Sequence, residues 1–241
     1  MDRRINLAMA WCGPAVVVLF VIGLIPLSHF VPPPAPTASA VQIQSFYLEN
    51  LTGVRIGMVL GIIGMALLLP WSVSVVVQTR RTESVPALSY LQLVCISVSW
   101  TTGLLATLVW AVASYRPDDV SAEITRTLND LGWFLFLFPW PPFAVWFAAV
   151  GVAILNDRQA APVFPRWAGY LSFWAAALIA PGALLVFFKT GAFAFNGFIV
   201  FYVAFAAFFA WLLAMTVLVI RAVNATPDES KSEKQSVSTA N

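Results

Sequence analysis

Six predominantly apolar stretches, each long enough to cross a bilayer as a helix, constrain this chain more than any other feature. They lie at about residues 7–31, 51–77, 85–115, 132–155, 167–188 and 198–222. A hydrocarbon core about 30 Å thick needs about 20 residues of helix, and within it every backbone amide must be satisfied inside the span or in a closed barrel. None of the six alternates with period two, and each far exceeds a barrel strand of about 10 residues. The expectation is an all-α, polytopic membrane helix bundle over 1–222, with a short amphipathic helix on its outer surface and a disordered cytoplasmic tail over 223–241. Only 10% of the residues are charged, against about 25% in a soluble domain.

Basic residues in short loops orient such a bundle. With six alternating spans, Arg3, Arg4, Arg80, Arg81, Arg158, Arg166, Arg221, Lys231 and Lys234 fall on one side and Arg55, Arg116, Arg126 and Lys189 on the other. Nine against four places both termini in the cytoplasm, and the overall pattern fits a bacterial inner membrane. The basic residues are spread over several segments and leave no nucleic-acid footprint. One histidine, His29, and two cysteines, Cys12 and Cys95, are too few for a bis-histidine haem or an ordinary metal cluster. No cofactor is expected. Walker, dinucleotide and Gly-x-Ser-x-Gly frames are absent, and Glu49, Glu83, Asp130 and Asp157 all fall at span ends, so no deep carboxylate relays protons.

Along the chain, Gly13-Pro14 and Pro26 should bend the first span. Ala38-Ser39-Ala40 has the small-residue form of a signal-peptidase site, but the apolar run is long for a leader and the span is expected to be retained. Gly53, Gly57 and Gly61 recur every four residues and form a close-packing seam. Arg55 lies on the opposite face, able to snorkel or to bind an anion. Pro70 should break the second span near its cytoplasmic end. Ser89, Gln92, Cys95, Ser99 and Thr102 form a polar stripe on the third span, serving as bundle glue or as the lining of a polar path.

The segment DDVSAEITRTLND follows, with Val120, Ile124, Leu128 and Leu131 as an apolar stripe that predicts a short amphipathic helix over 119–130, lying on the outer surface or capping the bundle. It leads into an aromatic stretch with Trp133, Phe138 and Trp140, cut by Pro139, Pro141 and Pro142, which no regular helix accommodates. The fifth span carries Pro181-Gly182 about two turns from its outer end, so both breaks fall at one depth. Broken helices at membrane depth mark binding sites in many transporters. In the last span Ala206, Ala210 and Ala214 form a second small-residue seam. LLLPWSVSVVVQT and LIAPGALLVFFKT can be aligned as a trace of an inverted repeat.

Three functions compete. The first is binding or translocation of an apolar small molecule or lipid through an outward-facing pocket. Trp133, Phe138, Trp140 and the two breaks would line it, and Arg55, Asp130, Lys189 and Asn196 would stand at its mouth. The second is an accessory subunit holding a membrane-protein partner through the small-residue seams; at least one seam must then face lipid. The third is a lipid-directed enzyme using Asp130 or Lys189, which ranks last because neither sits where its pKa would be tuned. The lipid bilayer is a partner in every case.

Overall fold

The computed structural model describes residues 3–83 and 86–225. The tail beyond Ala225, including Lys231 and Lys234, lies outside the described residues. Every regular element among the described residues is helical, and six helices are long and apolar enough to cross a membrane. This is a multi-pass membrane bundle. The first span is α1 (Arg3–Ile22) with a wide π-type turn, Gly23–Leu27; a surface helix, α2 (Ala40–Glu49), follows. The second span is α3 (Leu51–Thr79) and the third α4 (Ala87–Ala113). The fourth comprises α5 (Ala122–Leu137) and α6 (Trp140–Leu155), the fifth α7 (Arg166–Ile179) with a 3-10 turn, Ala180–Leu184, and the sixth a π-type turn, Phe198–Val203, running into α8 (Ala204–Ala225).

The spans pack as a ring in chain order: α1 on α3, α3 on α4, α4 on α5 and α6, α6 on α7, α7 on α8, and α8 back on α1. At the end carrying the chain termini the ring is tied by Arg3, whose Nη2 donates to Asn224 Oδ1 at 2.7 Å. Inside, indole N–H groups are latched to hydroxyls on neighbouring spans. Trp71 donates to Thr216 Oγ1 at 2.8 Å, Trp100 to Ser72 Oγ at 3.0 Å and Trp211 to Ser172 Oγ at 2.9 Å. Such bonds are worth about 0.6 to 2 kcal/mol each in a membrane, and here each joins two different spans.

The glycine seam is spent within the chain. A Cβ on Gly53 would collide with the Leu27 carbonyl oxygen, and one on Gly57 would meet Ser28 Oγ and lie 2.6 Å from the Gly23 carbonyl oxygen. Gly61 instead faces Thr107 on α4. The alanine seam behaves oppositely, since Ala206 and Ala210 are exposed on the outer face of the ring.

Three expectations need correction. Pro70 does not break its span, because α3 runs without interruption to Thr79; a transmembrane helix tolerates one missing amide where neighbours cover it. Pro181, by contrast, starts a 3-10 turn, so the aligned prolines of the supposed repeat do different things. Residues 119–130 are not a separate surface helix. From Ala122 the chain is already in the fourth span, with Ile124 and Leu131 exposed and Thr125 and Asn129 fully buried. The stripe itself divides, with Ile124 and Leu131 exposed and Leu128 packed against the core.

The short surface helix is α2. Ser39 caps it with a reciprocal box, Oγ accepting from Gln42 N at 3.2 Å while Gln42 Oε1 accepts from Ser39 N at 2.8 Å. The Ala38–Ser39–Ala40 motif is thus taken up in a helix start, with Ala40 buried. Gln44 Nε2 then donates to the Pro117 and Val120 carbonyls at 2.6 and 3.0 Å, tying α2 to the turn before α5.

Candidate functional site

The prolines of the fourth span decide the local geometry. Pro139, Pro141 and Pro142 have no amide hydrogen, so the carbonyls of Leu135, Leu137 and Phe138 lose the donors that a continuous helix would offer four residues on. The chain answers with a tight turn at Pro139 (φ −74°, ψ 43°), in which Trp140 N donates to the Phe138 carbonyl at 2.8 Å. Pro141 and Pro142 then fall in the first turn of α6, where an amide would be spare. In the fifth span Pro181 likewise removes the donor for the Ala177 carbonyl. The two breaks touch, because a Cβ on Gly182 would lie 3.0 Å from the Leu137 carbonyl oxygen and 3.6 Å from Trp140 Cβ.

Beside this contact lies a cavity of about 100 Å³. Trp140 and Gly182 line it, and every span contributes to its wall, with Phe20, Met65, Ser99, Phe143 and Phe205 among the side chains. It separates two aromatic clusters. Toward the chain termini, Trp71, Trp146 and Trp211 meet edge to face at 5.1–6.1 Å. Toward α2, Trp133 packs against Phe30, Trp110, Phe195 and Phe201 at 4.7–5.8 Å. None of the residues lining the cavity is ionisable. Ser99, completely buried, has a hydroxyl with no hydrogen-bond partner among the described residues.

The polar stripe of the third span therefore divides. Ser89 Oγ donates to Glu83 Oε1 at 2.8 Å and Gln92 Nε2 to Thr79 Oγ1 at 3.2 Å, both fixing α4 to the end of α3. Cys95 is a buried free thiol, and Thr102 turns back to the Ser99 carbonyl at 2.8 Å. Only Ser99 of the five lines the cavity.

The remaining residues singled out from the sequence lie elsewhere. Phe138 is exposed on the outside of the break, and Trp133 is buried in the upper aromatic cluster with its indole nitrogen unpartnered. Arg55 is engaged, its Nε donating to the Ser114 carbonyl at 2.9 Å and its Nη2 to the Tyr115 carbonyl at 2.7 Å. A cation there satisfies the orphan carbonyls at the end of α4 and complements the negative end of its dipole. Lys189 is exposed and Asn196 half-buried in the α7–α8 connection. Asp130 accepts from Asn129 Nδ2 at 3.1 Å and lies within electrostatic reach of Arg126 and Lys189. These groups cluster at the α2 end without lining the cavity. A polar surface depression of about 360 Å³ at the same end is bordered by His29, Glu49, Asn50 and Thr52. His29 there has φ 51° and ends the first span, with Phe30 N donating to the Leu24 carbonyl at 2.8 Å, a Schellman-type stop.

Beneath α2, Tyr47 is completely buried and its hydroxyl donates to Asn129 Oδ1 at 3.3 Å. Burial, and secondarily the charge of Asp130, push this phenol well above its ordinary range. The unfolded chain ionises its tyrosines near pH ~10 while folded Tyr47 keeps its proton. Stability is therefore fully present below that pH and falls above it, by about 1.4 kcal/mol per pH unit for this one group. A Tyr47→Phe variant is expected to lose less stability in alkali. Denaturation of the two proteins at several pH values above 9 (roughly the onset of tyrosine ionisation) checks this; parallel decline would remove the assignment.

Sequence reading missed most of the cavity wall. The spacing of Phe205, Phe208 and Phe209 was a usable signal, since steps of three and four set them on one helical face. No family model matches the chain, and neither a curated protein nor a solved structure is significantly similar to it.

Proposed function

We propose that this membrane protein binds, and in binding helps to move, a largely apolar small molecule or lipid whose apolar part enters the cavity beside the two broken spans. One observation carries the reading: the breaks of the fourth and fifth spans meet beside an aromatic cavity walled by every span and by no ionisable residue. Irregular backbone at membrane depth is otherwise an expense without return, and apolar pockets with a few polar groups are the usual form of small-molecule sites. The basic-residue count supports an orientation in which the α2 end faces outward, across a bacterial inner membrane.

The test is mass spectrometry of small molecules and lipids retained in mild detergent. A compound enriched with the wild type is expected to be lost from Trp140→Ala and from Ala204→Phe, whose new ring would occupy the cavity, and kept by Lys189→Ala. A featureless extract from all four proteins overturns the proposal.

A second reading, as an accessory subunit, is favoured by the exposure of Ala206 and Ala210. A small-residue face turned to lipid allows another helix to approach closely. It predicts a defined assembly in native mass spectrometry that Ala210→Trp disperses; a monomer in both proteins excludes it.

A further inference from the structure

We propose that the outward face of α7, at the end carrying the chain termini, is a binding site for an anionic phospholipid of the surrounding bilayer. Arg158 and Arg166 take its phosphate, and an acyl chain lies along Trp167, Tyr170 and Trp174. The site is on the outside of the ring and independent of the cavity.

The corner between α6 and α7 is braced. The two helices are drawn together where Gly151 faces Gly169: a Cβ on Gly169 would lie 3.2 Å from the Gly151 carbonyl oxygen and 2.8 Å from Leu155 Cγ. The loop between them is held by Asp157, whose carboxylate accepts from the Gln159 and Val163 amides at 3.0 and 2.9 Å. Gln159 Nε2 in turn donates to the Arg81 carbonyl at 2.9 Å. Arg166 reaches back across the corner, its Nη1 donating to the Leu155 carbonyl at 3.4 Å. Its guanidinium therefore stands at the end of α6, just where the chain goes on to Arg158.

These two charges are not neutralised from within. Asp157, the acid nearest in sequence, is buried and has each oxygen held by an amide. Among the described residues Arg158 has no hydrogen-bond or ion-pair partner and Arg166 only the Leu155 carbonyl, and both are exposed. Other arginines at this end are partly occupied: Arg3 by Asn224, Arg80 by the Glu83 carbonyl and Arg81 by Gln78. Guanidinium groups present paired donors that match phosphate oxygens. A zwitterionic headgroup would bring its own ammonium beside two cations, so a headgroup with net negative charge fits the corner better.

The chain follows from the aromatic face below. Trp167, Tyr170 and Trp174 are 52%, 54% and 65% exposed, and steps of three and four set them on one side of the helix. Ala168, Gly169, Ser172 and Ala175 are the buried residues of α7. Anchoring at the interface accounts for Trp167 and Tyr170 but not for Trp174. That residue lies about 12 Å along the helix from Arg166, whereas the headgroup layer is only about 6 Å deep. The face thus runs from the arginines into the hydrocarbon, continuous with the surface that the bilayer covers, which is the path of a lipid whose head rests on them.

The experiment places the full chain in phosphatidylcholine vesicles containing a minor fraction of a lipid with a diazirine in one acyl chain, either a phosphatidylglycerol or a phosphatidylcholine. Adducts on residues 167–177 are mapped by mass spectrometry in the wild type, Arg158→Gln, Arg166→Lys and Arg116→Gln. Arg116 is the control, an exposed arginine at the other end of the bundle, 5.0 Å from the Tyr115 ring. Phosphatidylglycerol is expected to label the wild-type face well above phosphatidylcholine. Arg158→Gln, which disturbs no internal contact, should lower that label about five-fold, the worth of one cation near a membrane surface. Arg166→Lys, which keeps the charge and loses the planar fork, should cause a smaller loss. The phosphatidylcholine label should not change, and Arg116→Gln should leave this face as it is. Equal labelling by the two lipids, no loss in Arg158→Gln, or an equal loss in Arg116→Gln overturns the site. Cross-linking of this face to another protein in place of lipid overturns it in favour of a protein partner.

Discussion

Truncation of Trp211 to alanine is expected to destabilise the bundle by about 3 to 4 kcal/mol, within the range for emptying an aromatic site in a core. Lipid tails are as apolar as the protein, so burial from water does not hold these helices together once inserted. What Trp211 supplies is contact: it is completely buried, with ring centroids 5.1 Å from Trp146, 5.7 Å from Trp71 and 4.4 Å from Phe147. It also gives Ser172 on α7 its indole donor at 2.9 Å. Alanine forfeits dispersion with three rings on two other spans and the one bond to a third. Trp211→Phe, which keeps a ring but not the N–H, should cost about half as much. Denaturation in mixed detergent micelles measures both. An alanine variant that unfolds with the wild type would show that the tryptophan cluster does not hold the ring.

The second large effect comes from adding a single methyl group. Gly53→Ala should destabilise the α2 end of the first two spans by about 2 to 3 kcal/mol, at the upper end of overpacking costs, because the new Cβ collides with the backbone carbonyl of Leu27. Backbone in a π-type turn cannot rotate aside as a side chain would. Gly61→Ala is the control: its Cβ would meet only the Thr107 side chain, with Cγ2 at 3.0 Å and Oγ1 at 3.8 Å. Alanine gains about 1 kcal/mol over glycine in a helix interior, and that gain should roughly offset so local a crowding. If both variants unfold alike, the close approach at Leu27 does not limit stability.

Helix class, span number and the break at Pro139 were legible in the sequence because each rests on local covalent facts. Apolar length sets the spans, and three missing amides within four residues cannot be repaired by any continuous helix. The face of α5 was legible only in part. Val120, Ile124, Leu128 and Leu131 define a stripe, but periodicity states which residues share a face and not whether lipid or protein covers it. The fate of Arg55 was not legible at all, since its acceptors are carbonyls on another helix, 59 and 60 residues away. The same holds for Ser99. Its place in a periodic stripe made it one of five equal candidates, and only packing from every other span separated it from Ser89 and Gln92.

The ring order of the spans bears on how the molecule is made. Val200, Ala204 and Phe205 belong to the last span, which also closes against the first through α8. During synthesis the five earlier spans would stand as an incomplete arc, its aromatic hollow a groove open sideways to the bilayer. Insertion of the sixth span turns that groove into a chamber. On the proposed binding role, a molecule dissolved in the surrounding lipid would have a moment at which entry requires no gate, and assembly itself would be a step at which the protein is charged.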